Sequence, residues 1–211
     1  MSDGERLAVR YVALGDSYTI GTATRTRAER WPDQLVARLS TSSPMLALIE
    51  NLGVNGFTSR DLIEVELPAL PALEPGFVTV LIGVNDVVQR IPESVYSANV
   101  ADILETLITS VGADRIVAVS IPDYTLTPQG AAFGDPNQQR AEIARFNDVM
   151  AEHCASRGIT FVSIDSVANL AGADRSLVAR DGLHPSGAQY SGWVDLIAPA
   201  VMATFDARPD R

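Results

Sequence analysis

Three residues of types that together can catalyse acyl transfer occur in this sequence, one near its start and two near its end. Ser17 lies just after the apolar run 11–14, and Asp181 precedes His184 by three residues. A serine hydroxyl needs a base to remove its proton, and histidine is the usual base because it titrates near neutral pH. A carboxylate fixes the imidazole tautomer and stabilises the imidazolium. Ser17, His184 and Asp181 are therefore the predicted catalytic residues.

Acyl transfer also needs hydrogen-bond donors for the oxyanion that develops on the substrate. The predicted donors are the backbone N–H of Ser17, the backbone N–H of Gly56 and the side-chain amide of Asn85. Glycine at position 56 allows close approach of the backbone because it has no Cβ. Taken singly, each residue has an ordinary structural interpretation, as a turn serine, a glycine at a helix start or a capping asparagine. The prediction therefore depends on whether the fold brings them together.

Five apolar runs predict the strands that would position these residues: 8–14, 45–51, 77–82, 115–121 and 159–164. Segments of helical periodicity separate the runs, and this alternation predicts a parallel sheet with helices on both faces. In such a sheet, ligands bind at the carboxyl ends of the strands. Ser17, Gly56 and Asn85 each follow a predicted strand, and Asp181 and His184 lie between the last strand and the last helix. All the candidate groups are thus expected at one edge of the sheet.

Two connections between these elements carry expectations of their own. The stretch LPALPALEP, 67–75, is predicted to be a stiff, proline-broken turn that leads into the third strand. The long connection 122–136 follows the fourth strand, and loops of that length are often functional. Its residues Tyr124, Leu126 and Phe133 make this loop the candidate specificity lid.

The composition excludes several classes of function. The formal net charge of −10 disfavours nucleic acid as a partner, because phosphate backbones repel an acidic surface. The basic residues are all arginine, which excludes a phosphate-loop lysine, a Schiff-base lysine and a pyridoxal attachment site. With two histidines and a single cysteine, Cys154, the sequence predicts neither a metal site nor a bound cofactor.

Length and hydropathy bound the organisation of the chain. Its 211 residues predict a single domain, 1–211, with flexible ends at 1–6 and 207–211. The start does not resemble a secretion signal, and no apolar run approaches the roughly 20 residues of a membrane span. We therefore expect a cytoplasmic protein without stable membrane insertion, monomeric or homodimeric, that acts on a small molecule.

Four short stretches carry a resemblance to a known family: GDSY at 15–18, NLGVNGFTS at 51–59, IGVND at 82–86 and DGLHP at 181–185. Together they resemble the four blocks of the SGNH (GDSL-type) hydrolase superfamily, and they run from the first strand almost to the last helix. Tyr18 stands where the family name implies leucine. The resemblance implies a flavodoxin-like, three-layer α/β/α fold with a five-stranded parallel sheet in the order 2-1-3-4-5.

The resemblance also implies a role for each candidate residue named above. It assigns Ser17, Asp181 and His184 to a catalytic triad, and Ser17, Gly56 and Asn85 to an oxyanion hole. The second block contains two glycines, and Gly56 is aligned as the donor because it directly precedes the expected helix start at 57–59. Gly53 is the alternative.

The favoured function is that of a serine hydrolase that cleaves carboxylic esters through an acyl-enzyme intermediate, as an esterase or lipase does. A thioesterase or a lysophospholipase stays open, and the sequence predicts no substrate-binding residues. One alternative is an acyltransferase that uses the same triad. Another is a non-catalytic flavodoxin-like module that binds phosphate or flavin after the first strand. The motif G-x-S-x-G is absent because Thr19 replaces its last glycine, which argues against the α/β-hydrolase nucleophile elbow.

Overall fold

A computed structural model describes residues 8–206 of the chain. The predicted flexible ends, 1–6 and 207–211, lie outside the described residues. Five parallel strands form one sheet: β1 (Val9–Gly15), β2 (Leu46–Asn51), β3 (Phe77–Leu81), β4 (Ile116–Val119) and β5 (Thr160–Val162). Each strand coincides with one of the predicted apolar runs. The strand order is β2-β1-β3-β4-β5, which confirms the predicted topology.

The helices cover both faces of this sheet. The α-helices are α1 (Ser17–Ile20), α2 (Trp31–Arg38), α3 (Ser59–Asp61), α4 (Leu70–Leu73), α5 (Val84–Val88), α6 (Glu93–Val111), α7 (Pro136–Ala155), α8 (Asp165–Ala168) and α9 (Gly187–Asp206). Short 3₁₀ turns occur at Arg27–Glu29, Leu67–Ala69, Ala113–Arg115, Tyr124–Leu126, Gly130–Phe133, Asn169–Gly172 and Arg175–Leu177. Helix α2 packs on α9, and α6 packs on α7. The architecture is therefore the predicted three-layer α/β/α fold.

The core lies on both sides of the central strands, as their composition requires. Every residue of β3 and β4 is buried, because a strand covered by helices on both faces has no solvent side. On α6, one apolar stripe packs inward, and Val100, Ile103 and Leu104 are fully buried. Within residues 8–206, none of the helices has the length and apolar character that a bilayer span needs.

The connection before β3 differs from the predicted proline-broken turn. Residues 59–73 are helical throughout, and their geometry changes from α to π at Leu62–Glu66, to 3₁₀ at Leu67–Ala69 and back to α in α4. Pro68 and Pro71 each fall in the first turn of a new helical segment. Proline is tolerated there because the first N–H groups of a helix have no intrahelical acceptor. The prediction of a stiff turn at 67–75 was wrong, because the two prolines lie at positions where a helical segment tolerates them.

Candidate active site

The nucleophile candidate Ser17 lies at the tight turn between β1 and α1. Gly15 ends the strand, and a Cβ at this position would lie 2.1 Å from the carbonyl oxygen of Leu81, so only glycine fits. Asp16 caps the following helix, and its Oδ1 accepts the N–H of Tyr18 at 2.9 Å. Ser17 is the first residue of α1 and is 8% exposed. Its own N–H has no acceptor within residues 8–206 and, as a first-turn donor, is free for a ligand.

Asp181 and His184 lie on one tight loop before α9. Asp181 Oδ2 lies 2.5 Å from His184 Nδ1, and Oδ1 accepts the backbone N–H groups of Leu183 and His184 at 3.0 Å each. Partial burial raises the pKa of Asp181, but the hydrogen bonds from His184 and from these backbone N–H groups outweigh that effect and lower the pKa. Asp181 is thus a carboxylate that fixes the histidine ring with Nδ1 as the donor.

One cavity of about 230 Å³ brings the predicted residues together. Ser17, Gly56, Asn85 and His184 all line it, and Asp181 lies behind the histidine ring. Within residues 8–206, Ser17 Oγ forms no hydrogen bond, so serine and histidine share the cavity without direct contact between donor and acceptor. The His184 ring packs against Tyr18, with 5.7 Å between the ring centroids. The sequence attached no role to Tyr18, which the structure places beside the imidazole.

The three predicted oxyanion donors border the same space. Gly56 has a left-handed φ of 81°, and its N–H has no acceptor in the described part of the chain. Asn85 also lines the cavity, and its Nδ2 donates to the carbonyl oxygen of Phe57 at 2.8 Å. The alternative glycine, Gly53, is placed differently: its N–H donates to Asn51 Oδ1, and it does not line the cavity. The geometry favours Gly56 over Gly53 as a donor.

The 122–136 loop forms one wall of the cavity. Tyr124 and Phe133 line it and meet edge to face, with 5.5 Å between their ring centroids, whereas Leu126 packs near Gly172 instead. The backbone N–H of Gln129 donates to Gly182 O at 3.0 Å. These contacts make the loop a wall attached to the Asp181–His184 loop, and two of its three predicted residues line the cavity.

The other aspartates near the strand ends have partners of their own. Asp86 is buried and accepts the N–H and hydroxyl of Ser59, and Asp123 pairs with Arg140 at 2.6 Å. Burial raises the pKa of Asp16 to about 8, although the Tyr18 N–H lowers it and the charge of Asp86 raises it further. Among the described aspartates, only Asp181 touches His184. Residues 8–206 contain no cluster of three or more metal-ligating side chains.

Sequence reasoning missed one buried acid beside the nucleophile turn. Glu66 is 1% exposed, and its Oε2 accepts the N–H of Gly15 at 2.9 Å. A signal for it exists, because Glu66 lies four residues after Leu62 and four before Leu70, both of which are buried. This spacing was not used in predicting the site, because 67–75 was expected to form a turn.

A match to a family model agrees with this fold and cavity. Residues 13–191, which make up most of the chain, match the model of the GDSL-like lipase/acylhydrolase family. The chain therefore belongs to this family and is a carboxylic ester hydrolase of the GDSL type. No curated protein sequence matches it significantly.

Solved structures with the same fold include several esterases. The chain superimposes on TesA with a TM-score of 0.71 at 18% identity, over 92% of this chain and 99% of that one. The acetyl xylan esterase Axe2 from Geobacillus stearothermophilus gives 0.69 at 18% identity, over 98% and 99%. The psychrotrophic esterase EstA from Pseudoalteromonas sp. gives 0.70 at 17% identity, over 93% and 98%. At these identities the likeness establishes the fold.

Proposed function

We propose that this chain hydrolyses small carboxylic esters through a covalent acyl-enzyme, with Ser17 as nucleophile, His184 as base and Asp181 as the residue that orients the base. The observation that carries the proposal is the arrangement at one cavity. A hydroxyl and an imidazole backed by a carboxylate at 2.5 Å border it. So do the N–H groups of Ser17 and Gly56, which have no acceptor within residues 8–206, and the amide of Asn85, which has a second N–H besides the one donated to Phe57. One domain supplies every one of these groups.

The reaction begins when His184 Nε2 takes the proton of Ser17 Oγ as the oxygen attacks the ester carbonyl. Hydrogen bonds between a catalytic serine and its base commonly tighten once substrate binds. The carbonyl oxygen becomes an oxyanion, which accepts hydrogen bonds from the N–H groups of Ser17 and Gly56 and from the amide of Asn85. Because the charge develops only in the transition state, these bonds lower the barrier.

The tetrahedral intermediate then collapses to release the alcohol. His184 returns its proton to the leaving oxygen, and the acyl group stays on Ser17. A water molecule, deprotonated by the same imidazole, attacks the acyl-enzyme. The second tetrahedral intermediate then breaks its bond to Ser17, His184 returns the proton to Ser17 Oγ, and the acid is released. Asp181 keeps Nδ1 as the protonated nitrogen, so that Nε2 is the basic one in both half-reactions.

The size of the cavity supports a short acyl group. Its volume of about 230 Å³ lies below the range of about 300–1,000 Å³ typical of drug-sized ligand sites. Tyr124, Val88 and Phe133 supply its apolar wall. Phe133 is partly exposed at the rim, and Phe133→Ala should therefore shift preference toward longer acyl chains. Acetate and butyrate esters are the expected substrates of the unaltered protein.

Two proteins of the same fold support the chemistry. Variants of Axe2 altered at a serine and at a histidine are described as catalytic mutants, and the structure of EstA is of a form inhibited by monoethylphosphonate. A phosphonate that reacts with an activated serine is therefore a suitable probe for Ser17.

The test compares the wild type with Ser17→Ala on p-nitrophenyl esters of two, four, eight and twelve carbons. The matched control is Ser110→Ala, because Ser110 is exposed on α6 and does not line the cavity. Ser17→Ala should lose roughly 10⁴-fold or more in kcat, while the control keeps full activity. Intact-protein mass after phosphonate treatment should show one adduct, absent from Ser17→Ala. Equal activity of wild type and Ser17→Ala would refute the proposal.

Product analysis with added alcohols separates hydrolysis from acyl transfer. With water as the acceptor, the free acid accumulates at the rate of p-nitrophenol release at every alcohol concentration. An ester product that replaces the acid at low alcohol concentration would identify the protein as an acyltransferase that uses the same residues.

A further inference from the structure

Glu66 is a buried acid that the mechanism above does not use. It lies on the inner face of the helical segment 59–73, between Leu62 and Leu70, which are 0% and 1% exposed. Its Oε2 accepts the Gly15 N–H at 2.9 Å, and its Oε1 is buried without a partner in the described part of the chain. A carboxyl group in such a position costs stability compared with an apolar side chain. Its presence calls for a role that an apolar residue could not fill.

The helix geometry places Glu66 against the nucleophile turn. Leu62–Glu66 form a π turn, in which the N–H of Leu67 donates to the carbonyl oxygen of Leu62 five residues earlier. Single π turns within α-helices are rare and occur often at functional sites. Glu66 is the last residue of this π turn and is buried with Leu62, so the turn presents one polar side chain from an otherwise apolar face.

The peptide groups on either side of Gly15 are held from both directions. Glu66 accepts the Gly15 N–H, and the Gly15 carbonyl oxygen accepts the N–H of Val54 at 3.1 Å. Val54 belongs to the loop that carries Gly56. Two hydrogen bonds therefore connect Glu66 through Gly15 to the loop that carries Gly56, a proposed oxyanion donor.

We propose that Glu66 is a positioning residue for the nucleophile, which acts by holding the Gly15 peptide so that the Ser17 hydroxyl and N–H point into the cavity. The inference rests on the proposed ester hydrolysis. Only one residue, Asp16, separates Gly15 from Ser17, and no Cβ at Gly15 can stiffen the turn. The hydrogen bond that the Gly15 N–H donates to Glu66 fixes the first peptide of the turn. The hydrogen bond that the Tyr18 N–H donates to Asp16 fixes the last.

The charge state of Glu66 suits this role. Burial raises its pKa to about 9, although the Gly15 N–H lowers it, and the neighbouring Asp16 carboxyl raises it further. The carboxyl is therefore uncharged near pH 7. An uncharged acid accepts the Gly15 N–H without adding negative charge behind the place where the oxyanion forms.

The experiment compares Glu66→Gln, which keeps an oxygen acceptor in the same place, with Glu66→Leu and Glu66→Met, which remove it. The matched control is Glu64→Leu, because Glu64 lies on the same π turn but is exposed and pairs with Arg60. Two variants without the acceptor are used so that, if one of them misfolds, the other still tests the inference. Each protein is checked by circular dichroism and thermal melting, and kcat is calculated per phosphonate-titrated active site.

We expect Glu66→Gln and Glu64→Leu to keep the wild-type kcat, whereas Glu66→Leu and Glu66→Met lose about 10- to 100-fold in kcat with KM unchanged. The rate of Ser17 phosphonylation should fall by the same factor. Full kcat in the variants without the acceptor would overturn the inference, and so would an equal loss in Glu66→Gln. An inactive wild type would instead overturn the proposed function, and the inference with it.

Discussion

The side-chain amide of Asn85 donates to the carbonyl oxygen of Phe57 across 2.8 Å, and this bond links one predicted oxyanion donor to the loop that carries another, Gly56. An asparagine amide has two N–H groups. One is used by Phe57, directly after Gly56, and the other is left for a ligand in the cavity. The two donors are consequently held in a fixed relation before substrate arrives, which is what preorganised electrostatic stabilisation requires.

Replacing Asn85 by alanine should lower kcat by about 10²–10³-fold with little change in KM, since the donor acts mainly in the transition state. Steady-state kinetics on p-nitrophenyl butyrate measures both constants. Asn169→Ala is the control, because Asn169 is exposed and lies outside the cavity. A rise in KM at constant kcat would instead assign Asn85 to substrate binding.

Asp181→Asn should reduce kcat on the order of 10⁴-fold, because the amide N–H can donate to Nδ1 and so favours the wrong imidazole tautomer, and because a neutral amide does not stabilise the imidazolium. Asp174→Asn is the control. Asp174 lies on a neighbouring loop and forms a similar turn, with its carboxylate accepting the N–H and hydroxyl of Ser176, but it touches no histidine. Similar losses in the two variants would show that loop geometry, not the carboxylate, is what matters.

The two glycines of the second block should respond differently to alanine. At Gly56 a Cβ meets no atom within 4 Å, so the cost is the left-handed φ, about 1–2 kcal/mol. At Gly53 a Cβ would lie 2.8 Å from Ile20 N and 2.9 Å from Asp16 O. We expect Gly56→Ala to melt slightly earlier and remain partly active, and Gly53→Ala to lose most activity because it displaces the nucleophile turn. Thermal melts and rate measurements on both variants distinguish these outcomes. A greater loss of activity in Gly56→Ala than in Gly53→Ala would contradict this account of the two glycines.

Glu66→Gln should change how stability depends on pH. The folded pKa of Glu66, about 9, lies above the ordinary value of about 4.3 expected in the unfolded chain. The stability associated with its proton is thus fully present below pH 4 and is lost as pH rises toward 9, by up to about 1.4 kcal/mol per pH unit.

Urea unfolding at pH 5, 6.5 and 8 tests this expectation. The free energy of unfolding of Glu66→Gln minus that of the wild type should rise steadily across the series, because glutamine has no proton to lose. The exposed Glu64→Gln serves as the comparison, and its difference from the wild type should stay constant. A constant difference for Glu66→Gln as well would mean that the carboxyl is already ionised at pH 5.

Much of the fold could be predicted because its signals are local. Each strand is a continuous apolar run, and the turns at Ser17 and at the Asp181–His184 pair are short enough to be read from neighbouring residues. The helical segment 59–73 could not be predicted in the same way, because Pro68 and Pro71 suggest interruption when considered alone. Whether they break a helix depends on where each new helical turn begins.

The cavity wall was harder still to predict. Tyr124 and Phe133 line the cavity whereas Leu126 does not, although all three lie on one loop and are similarly apolar. That difference arises from contacts with distant segments, such as the bond between Gln129 and Gly182. Nothing in the sequence near residue 126 encodes those partners.

The attachment of the 122–136 loop to the loop of the imidazole limits how independently this enzyme's selectivity can evolve. The Arg175 guanidinium donates a hydrogen bond to the carbonyl oxygen of Leu126, and the Gln129 N–H donates one to the carbonyl oxygen of Gly182. A substitution in the wall that reshapes the cavity should therefore displace His184, the proposed base, as well. Directed evolution for bulkier substrates should therefore enrich paired changes, one in each loop, over single replacements in the wall.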